Sequence, residues 1–216
     1  MNSLRVEKPL LIGVVILLVA LAGCGGTVGN KPTVSNVEAT VLNNKPAVVF
    51  NYSTSDSATV LVKGPSGRVL GTDTLEPNKS GGSVVFSDAD VGNYTFLIRK
   101  RNKRVSKRTV HFGGPNVSLT NTSTQWSGTT LSQVIAPVRN SGDLPARVLE
   151  VKAAVHGKKI HRDKYVWIAP NATKTISAET EIKIREGTMV RGTVTVKTET
   201  RTLQDRFSQA VQNRSS

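Results

Sequence analysis

The chain of 216 residues carries a formal net charge of +14, with 38% hydrophobic and 20% charged residues. This balance excludes a permanently unfolded polyelectrolyte and a protein that crosses a membrane many times. The length allows one or two domains. Both halves of the chain share the positive charge, and only residues 99–108 concentrate it in one run.

A basic and then apolar segment opens the chain. Arg5 and Lys8 precede residues 10–22, an uncharged apolar run that is too short to span a bilayer but suits the hydrophobic region of a signal peptide. Residues 21–24, LAGC, resemble the lipobox of prokaryotic lipoproteins. The resemblance implies that residues 1–23 are a cleaved lipoprotein signal peptide and that Cys24 carries a diacylglyceryl group. The alternative is an ordinary signal peptide, or a short membrane helix, with an incidental cysteine.

Lipidation would use the only cysteine in the chain, Cys24. It would leave no thiol for a disulfide, a thiolate metal site or a cysteine nucleophile. Two acyl chains hold a domain at a bilayer far more firmly than one. Residues 24–32 include several glycines after Cys24 and predict a flexible tether. The expected location is therefore extracytoplasmic, at the cell membrane.

From residue 33 onward the sequence predicts an all-β protein. Short β-rich segments alternate with turn sequences such as NNKP and GPSG, at the spacing of an immunoglobulin-like sandwich. The predicted strands of the first domain, residues 33–113, cover 33–40, 47–53, 58–64, 68–75, 82–87, 93–100 and 105–112. The sequence DVGNY, with Asp90, Gly92 and Tyr94, resembles the tyrosine corner of immunoglobulin-like domains. Phe96 stands where such domains place a disulfide cysteine, so aromatic packing between the sheets is expected there.

The basic run falls on the hairpin formed by the last two predicted strands of this domain. Its candidate anion-binding residues are Arg99, Lys100, Arg101, Lys103, Arg104, Lys107 and Arg108. A loop of three residues, 101–103, places Ile98 opposite Ser106. Val105 is then expected to point outward and Arg108 inward.

Three interpretations of the basic run follow from its position. It is a solvated tip that deters pairing at a sheet edge, a patch for anionic lipid headgroups or acidic surface polymers, or a nucleic-acid site. Nucleic acid is the least favoured, because no aromatic residue within 99–108 offers a stacking platform for bases. Each cation within a Debye length of anionic lipids adds about 1 kcal/mol, so a lipid patch needs a tip that faces the membrane.

A second β-rich series follows the sequence FGGPN and predicts a second immunoglobulin-like sandwich over residues 114–212, with 213–216 as a tail. Its sequence is similar to CARDB-type cell-adhesion-related domains. The resemblance rests on Asn140, Gly142 and Ala146, whereas Asn171 replaces a glycine of the family pattern.

The end of this series is ambiguous in the sequence. Leu203, Phe207 and Val211 are spaced by four residues and would also suit a short amphipathic helix. We expect a strand that pairs with residues 190–200.

Seven asparagines begin an N-x-[ST] sequon, the acceptor signal for N-glycosylation. The candidate acceptors are Asn51, Asn78, Asn116, Asn121, Asn171 and Asn213. The seventh, Asn93, is disfavoured because it adjoins the tyrosine corner. A β protein rich in serine and threonine also forms sequons by chance. Glycosylation together with a lipobox would indicate an archaeal surface protein.

The remaining residues predict no reaction centre. His156 and His161 flank a predicted turn without a third ligand, so neither a metal nor another cofactor is expected. There is no catalytic serine elbow and no phosphate-binding glycine loop in the sequence. Trp126 and Trp167 are expected to pack in the sheets rather than to stack on sugars.

These observations predict a non-enzymatic, lipid-anchored protein of the cell envelope with a structural, adhesive or ligand-binding role. Its candidate partners are the membrane, anionic lipids, acidic surface polymers and another envelope protein. The alternative is an accessory lipoprotein that captures substrate for a transport or secretion complex.

Overall fold

The computed structural model describes residues 31–211, except for the side chains of residues 161–164. Every helix or strand within that part of the chain is a β-strand. The strands are β1 (Thr33–Leu42), β2 (Lys45–Ser53), β3 (Ala58–Lys63), β4 (Val69–Leu75), β5 (Gly81–Val85), β6 (Gly92–Lys100), β7 (Lys103–Phe112), β8 (Val117–Leu119), β9 (Ser123–Ser127), β10 (Thr130–Asn140), β11 (Ala146–Val155), β12 (Lys158–Ile168), β13 (Ala172–Lys183), β14 (Met189–Thr198) and β15 (Thr202–Ala210). They build two tandem antiparallel sandwiches, β1–β7 and β8–β15, which confirms the expected all-β, immunoglobulin-like fold.

The two sandwiches share one strand order. In the first, the sheet β1-β2-β5 packs on the sheet β4-β3-β6-β7. In the second, β13-β10-β8, with β9 also on β10, packs on β12-β11-β14-β15. The pair β8 and β9 takes the place of β1. Asn36 within β1 and Asn121 between β8 and β9 both have φ 44°, which asparagine tolerates better than most residues.

The strands form because apolar and polar residues alternate. On β3, Ala58, Val60 and Val62 are buried, whereas Thr59 is exposed and Leu61 is half-buried. The last segment of the chain follows the same rule, and Leu203 and Phe207 pack against the second core. β15 pairs with β14 along its whole length, which confirms a strand rather than a helix there.

The core of the first sandwich is aromatic. Phe50 on β2 meets Phe96 on β6 edge to face, with ring centroids 5.5 Å apart. Tyr94 and Phe112 form a second edge-to-face pair at 5.2 Å. Such pairs add about 0.5–1.5 kcal/mol to the effect of burial alone. The expected aromatic contact between the sheets at Phe96 is confirmed.

The tyrosine corner forms as the sequence predicts. The Tyr94 hydroxyl donates a hydrogen bond of 2.9 Å to the Asp90 carbonyl. Gly92 has φ 135°, a conformation that other residues rarely adopt, and a Cβ there would lie 2.9 Å from Cβ of Pro65. This corner fixes the chain where it enters β6.

The second core is aliphatic, and at its edge the buried side-chain amide of Asn140 binds several main-chain groups. Asn140 is fully buried at the end of β10. Its Nδ2 donates to the carbonyls of Leu144, Ile168 and Ala169 at 2.8, 3.2 and 3.3 Å. Its Oδ1 accepts from the backbone N–H groups of Asn116 and Gly142 at 3.2 and 3.1 Å. Asn140 is thus a hub that binds main-chain groups from several segments.

Gly142 lets the turn after β10 approach the segment between the sandwiches closely. A Cβ on Gly142 would lie 2.3 Å from the Gly114 carbonyl oxygen and 2.4 Å from the Asn116 nitrogen. The neighbouring Ser141 N–H donates to the Asn116 carbonyl at 2.8 Å. Only glycine fits at this distance.

Further contacts join the two sandwiches at the same place. The Gly113 N–H donates to Asp143 Oδ2 at 3.1 Å. Leu144, from the turn after β10, is fully buried and packs within the first core. On the neighbouring turn, Arg201 donates to Asn116 Oδ1 at 2.7 Å. We call this region the junction.

The strand register places the start of β1 at the opposite end of the first sandwich. Thr33 pairs with Ser53, and β3 then begins at Ala58 beside the last residues of β6. The turn between β6 and β7 lies at this end, because Lys100 pairs with Lys103 there while Gly92 pairs with Phe112 near the junction. We call it the N-terminal end.

Candidate functional site

The basic hairpin closes with a turn of two residues. Arg101 and Asn102 have φ of 49° and 62°, the left-handed conformations of a type I′ turn. A register shift after Ile98 inserts an extra residue on β7. Ile98 still pairs with Ser106, but the three-residue loop predicted from strand parity is wrong, because the bulge supplies the odd residue.

The bulge also redirects Val105. This side chain is half-buried and packs against the first core, so the expectation that it points outward is wrong. Arg99 pairs with Arg104, and Lys107 pairs with Leu97. Both pairs lie on the face of the sheet that is turned away from the core, since Ile98 between them is buried.

Two of the seven cations have partners within the sandwich. Lys100 forms a salt bridge with Asp56 in the loop between β2 and β3. The hydrogen bond and the charge of Lys100 lower the pKa of Asp56, and the charge of Arg101 acts in the same direction. Arg108, on the core-facing side as expected, donates from its guanidinium to the Val34 carbonyl at 2.8 Å. It thereby ties β7 to β1 across the open edge of the sandwich.

The other five cations have no salt bridge within the described part of the chain. They are Arg99, Arg101, Lys103, Arg104 and Lys107, and we call them the hairpin cations. Lys103, Arg104 and Lys107 lie on β7, an edge strand of the four-stranded sheet, while Arg101 is in the turn and Arg99 is on β6. All five are exposed, and they add to a positive charge that Asp56, already bound to Lys100, only partly offsets.

A shallow groove of about 290 Å³ lies beside the hairpin turn. Ser57, Thr59, Thr72 and Thr74 line it with hydroxyl groups, together with Arg99 and Arg101. Hydroxyl and guanidinium groups both donate hydrogen bonds to anionic oxygen atoms, and guanidinium does so with two parallel bonds. This arrangement suits a phosphate, sulfate or carboxylate group on a larger molecule.

A second groove, of about 520 Å³, was not predicted from the sequence. It lies on the sheet β12-β11-β14-β15 of the second sandwich and is lined by His156, Arg191, Arg206 and Phe207. Arg191 and Arg206 belong to different strands, and the pairing of β14 with β15 brings them close.

A stacked arginine near the junction was also missed. The Arg147 guanidinium lies 5.4 Å from the ring centre of Tyr165 and 5.6 Å from that of Trp167. It also binds Glu199 at 3.1 Å. Trp167 is almost fully buried, and Trp126 packs against the second core, so both serve packing. Arg147 on β11 pairs with Trp167 on β12, so a correct alignment of these two strands from the sequence would have predicted the contact.

All of the sequon asparagines within residues 31–211 are exposed. They are Asn51, Asn78, Asn93, Asn116, Asn121 and Asn171. Asn116 differs from the others because its Nδ2 donates to Ser141 Oγ at 3.1 Å and its Oδ1 accepts from Arg201. Asn213 lies outside the described residues, as does Cys24.

The histidines do not converge in the region that the structure covers. His111 Nδ1 lies 3.1 Å from Asn93 Oδ1, and His156 belongs to the turn between β11 and β12. The side chain of His161 is outside the described set. Among the described residues, no three of His, Cys, Asp and Glu form a group that could hold a metal ion. No helix within residues 31–211 is long and apolar enough to cross a membrane.

No family model matches the chain, and no curated protein matches it. Several solved structures are similar to it at low identity. The BSP domain of a biofilm-associated protein is 15% identical with a TM-score of 0.30, and the match covers 85% of this chain and 30% of that one. A segment of two fibronectin type III domains from chicken tenascin is 12% identical with a TM-score of 0.36, covering 82% of this chain and 98% of that one.

An enzyme is also among these structures. A β-glucuronidase of glycoside hydrolase family 2 is 11% identical with a TM-score of 0.30, covering 82% of this chain and only 19% of that one. At such identities and TM-scores the likenesses carry no argument about activity or partners. The assignment to the immunoglobulin-like and fibronectin-like class rests on the strand order and the two cores of this chain.

Proposed function

We propose that this chain is a lipid-anchored protein of the cell envelope that acts without catalysis and binds an anionic envelope component through its basic hairpin. The observation that carries the proposal is the group of hairpin cations. They are exposed, they have no salt bridge in the described part of the chain, and two of them, Arg99 and Arg101, border a groove lined with hydroxyl groups. A turn that only needed solubility would not require so many uncompensated charges of one sign.

The lipid anchor is the second element of the proposal, and it rests on the LAGC sequence that ends at Cys24. Replacing Cys24 with serine removes the thiol that the diacylglyceryl group would modify. We expect the mature wild-type protein to partition into the detergent phase and the Cys24→Ser protein to remain in the aqueous phase. Equal partitioning of the two proteins would reject the anchor.

Binding to a soluble polyanion tests the hairpin separately from the anchor. The hairpin variant combines Arg99→Gln, Lys103→Gln and Arg104→Gln, and leaves the Lys100–Asp56 and Arg108–Val34 contacts intact. The control variant combines Lys158→Gln, Lys159→Gln and Arg185→Gln. Lys158 and Lys159 follow a comparable two-residue turn, His156 and Gly157, in the second sandwich.

Both variants lose three positive charges, so a general charge effect would treat them alike. On a dextran sulfate column we expect the hairpin variant to elute at a clearly lower salt concentration than the wild type. The control variant is expected to elute close to the wild type. Identical elution of the two variants would reject the hairpin as the binding surface and leave the interpretation of a solvated tip.

A further inference from the structure

We propose that the hairpin binds the anionic lipid headgroups of the same membrane that holds the protein's own lipid anchor. The N-terminal end of the first sandwich would then rest on the bilayer, with the second sandwich held away from it. This inference rests on the anchor and the anionic ligand of the proposed function, and it adds the identity of the partner and the orientation of the molecule.

The first step is the position of the hairpin relative to the start of the fold. Thr33 pairs with Ser53, and Thr59, just after the loop that follows β2, pairs with Arg99. The start of β1 and the tip of the β6–β7 hairpin are therefore level with each other at the N-terminal end. The sequence leaves this relation open, because the two segments are about seventy residues apart and β1 belongs to the other sheet.

The second step is the length of the chain between the anchor and the fold. Cys24 precedes Thr33 by nine positions, with glycines at 25, 26 and 29. A chain of that length would span about 17 Å as a root-mean-square distance if it behaved as a random coil, and full extension reaches only about 30 Å. A strand of ten residues is itself about 33 Å long. The N-terminal end is therefore the part of the first sandwich closest to an anchored Cys24.

The third step is that the opposite end of the first sandwich is already occupied. The junction covers it through Gly113, Asp143 and the buried Leu144. The β14–β15 turn, which corresponds to the basic hairpin in strand order, also contributes Arg201 to the junction. The N-terminal end is therefore the end of the first sandwich that remains open to a surface.

The fourth step is the charge at the two ends. At the N-terminal end, Glu76 pairs with Lys79 and Asp56 pairs with Lys100. This leaves Lys31, Arg99, Arg101, Lys103 and Arg104 in excess there. At the junction end of this sandwich the excess is smaller, because Asp88 and Asp90 stand against Lys45, Lys63 and Arg68. Positive charge attracted to anionic lipids is thus greatest where the tether holds the protein closest to them.

Fluorescence of a single label on the lipidated full chain tests the orientation. Because Cys24 is the only cysteine and would be acylated, one introduced cysteine can be labelled selectively. Ser55 is exposed in the loop between β2 and β3 at the N-terminal end and does not line the groove, and Ser127 is exposed at the far end of the second sandwich. We would label Ser55→Cys and Ser127→Cys and reconstitute each protein in vesicles whose lipids carry a headgroup spin label as quencher.

Two vesicle compositions separate the anchor from the hairpin. Phosphatidylcholine vesicles hold the protein by its anchor alone, and an equimolar mixture with phosphatidylglycerol adds negative headgroups. We expect quenching of the label at residue 55 to rise at least about twofold with phosphatidylglycerol and to fall back near 1 M salt, where the Debye length is about 3 Å. The label at residue 127 should be quenched little in either membrane.

The hairpin variant and the control variant decide between specific and general charge effects. We expect the hairpin variant to lose the increase at residue 55, whereas the control variant keeps it. Quenching at residue 55 that is the same in both membranes would overturn the lipid inference, even with dextran sulfate binding intact. That combination would leave the proposed function standing and identify an acidic polymer as the partner. If the hairpin variant and the control variant also eluted alike from dextran sulfate, the proposed function itself would fail.

Discussion

The basic hairpin of the first sandwich and the corresponding hairpin of the second have the same place in the fold and different surroundings. β6–β7 ends in an exposed turn whose cations lack partners among the described residues, except for Lys100 and Arg108. β14–β15 ends at the junction, where Arg201 binds Asn116 and Glu199 binds Arg147. Strand order alone therefore does not decide whether the charged side chains of a turn stay exposed. That depends on whether the other sandwich covers the same end.

The two sandwiches also differ in how their cores are fixed. The first uses aromatic pairs and the hydroxyl of Tyr94, whereas the second uses aliphatic residues and the buried amide of Asn140. In each sandwich these contacts hold separate segments of the chain together. Substitutions in each sandwich can therefore test whether the two cores are stabilised independently. Tryptophan fluorescence serves as a selective probe, because Trp126 and Trp167 are both in the second sandwich.

The largest effect is expected for Phe96→Ala. Phe96 is fully buried and packs edge to face on Phe50, so its truncation leaves a cavity between the sheets. We expect the first sandwich to lose about 3–5 kcal/mol of unfolding free energy. Urea denaturation followed by circular dichroism should detect the early transition. Leu97→Ala, at the adjacent half-exposed position on the outer face, is the control and should cost much less.

Tryptophan fluorescence of Phe96→Ala sharpens the comparison. If the cores are independent, the fluorescence transition of the second sandwich stays near its wild-type midpoint. A fluorescence transition that moves as far as the circular dichroism signal would contradict independence and would assign strong coupling to Leu144 at the junction.

Asn140→Ala is expected to have the next largest effect, and in the second sandwich. The substitution leaves three carbonyls and two N–H groups without their amide partner at a buried site. We expect a loss of about 2–4 kcal/mol, because buried polar groups without partners are costly. The tryptophan transition should shift to lower urea concentration. Asn78→Ala, at an exposed loop position, should leave it unchanged, and an equally small shift for Asn140→Ala would disprove the role of the hub.

Tyr94→Phe tests the smallest of the three effects. It removes the hydrogen bond to the Asp90 carbonyl and keeps the aromatic ring, so a loss of about 1 kcal/mol is expected in the first sandwich. Tyr165→Phe is the matched control, because Tyr165 is mostly exposed. Thermal denaturation of the two variants should separate them by several degrees.

The pH dependence of stability gives a second measurement on Tyr94. Burial, reinforced by the charge of Asp90, raises the pKa of Tyr94 to about 12, compared with an ordinary value of 10.0. The unfolded chain therefore releases this proton at lower pH than the folded protein. The contribution of Tyr94 is complete below about pH 10 and is lost as the pH rises toward 12. The alkaline destabilisation should be weaker in Tyr94→Phe, and an unchanged profile would contradict the assignment.

Much of the fold and part of the candidate site could be predicted from local sequence. Alternating residues such as Val60 and Val62 predicted strands, and the DVGNY sequence resembles the tyrosine corner that the structure forms at Tyr94. The basic run was placed on the correct hairpin because its flanking strands are strongly β-rich. The details of its tip were wrong, because a bulge changes side-chain direction without leaving a clear mark in the residue pattern.

The sequence by itself determined which residues alternate, where glycines and asparagines allow turns, and how much positive charge the hairpin carries. Only the tertiary structure decided which cations have partners, since Lys100 forms a salt bridge with Asp56 and Arg108 donates a hydrogen bond to the Val34 carbonyl on another strand. It alone placed the start of β1 beside the hairpin tip and the junction at the opposite end. The physical reason is that alternation and turn preference act over a few residues, whereas pairing between sheets and between domains depends on contacts across the whole chain.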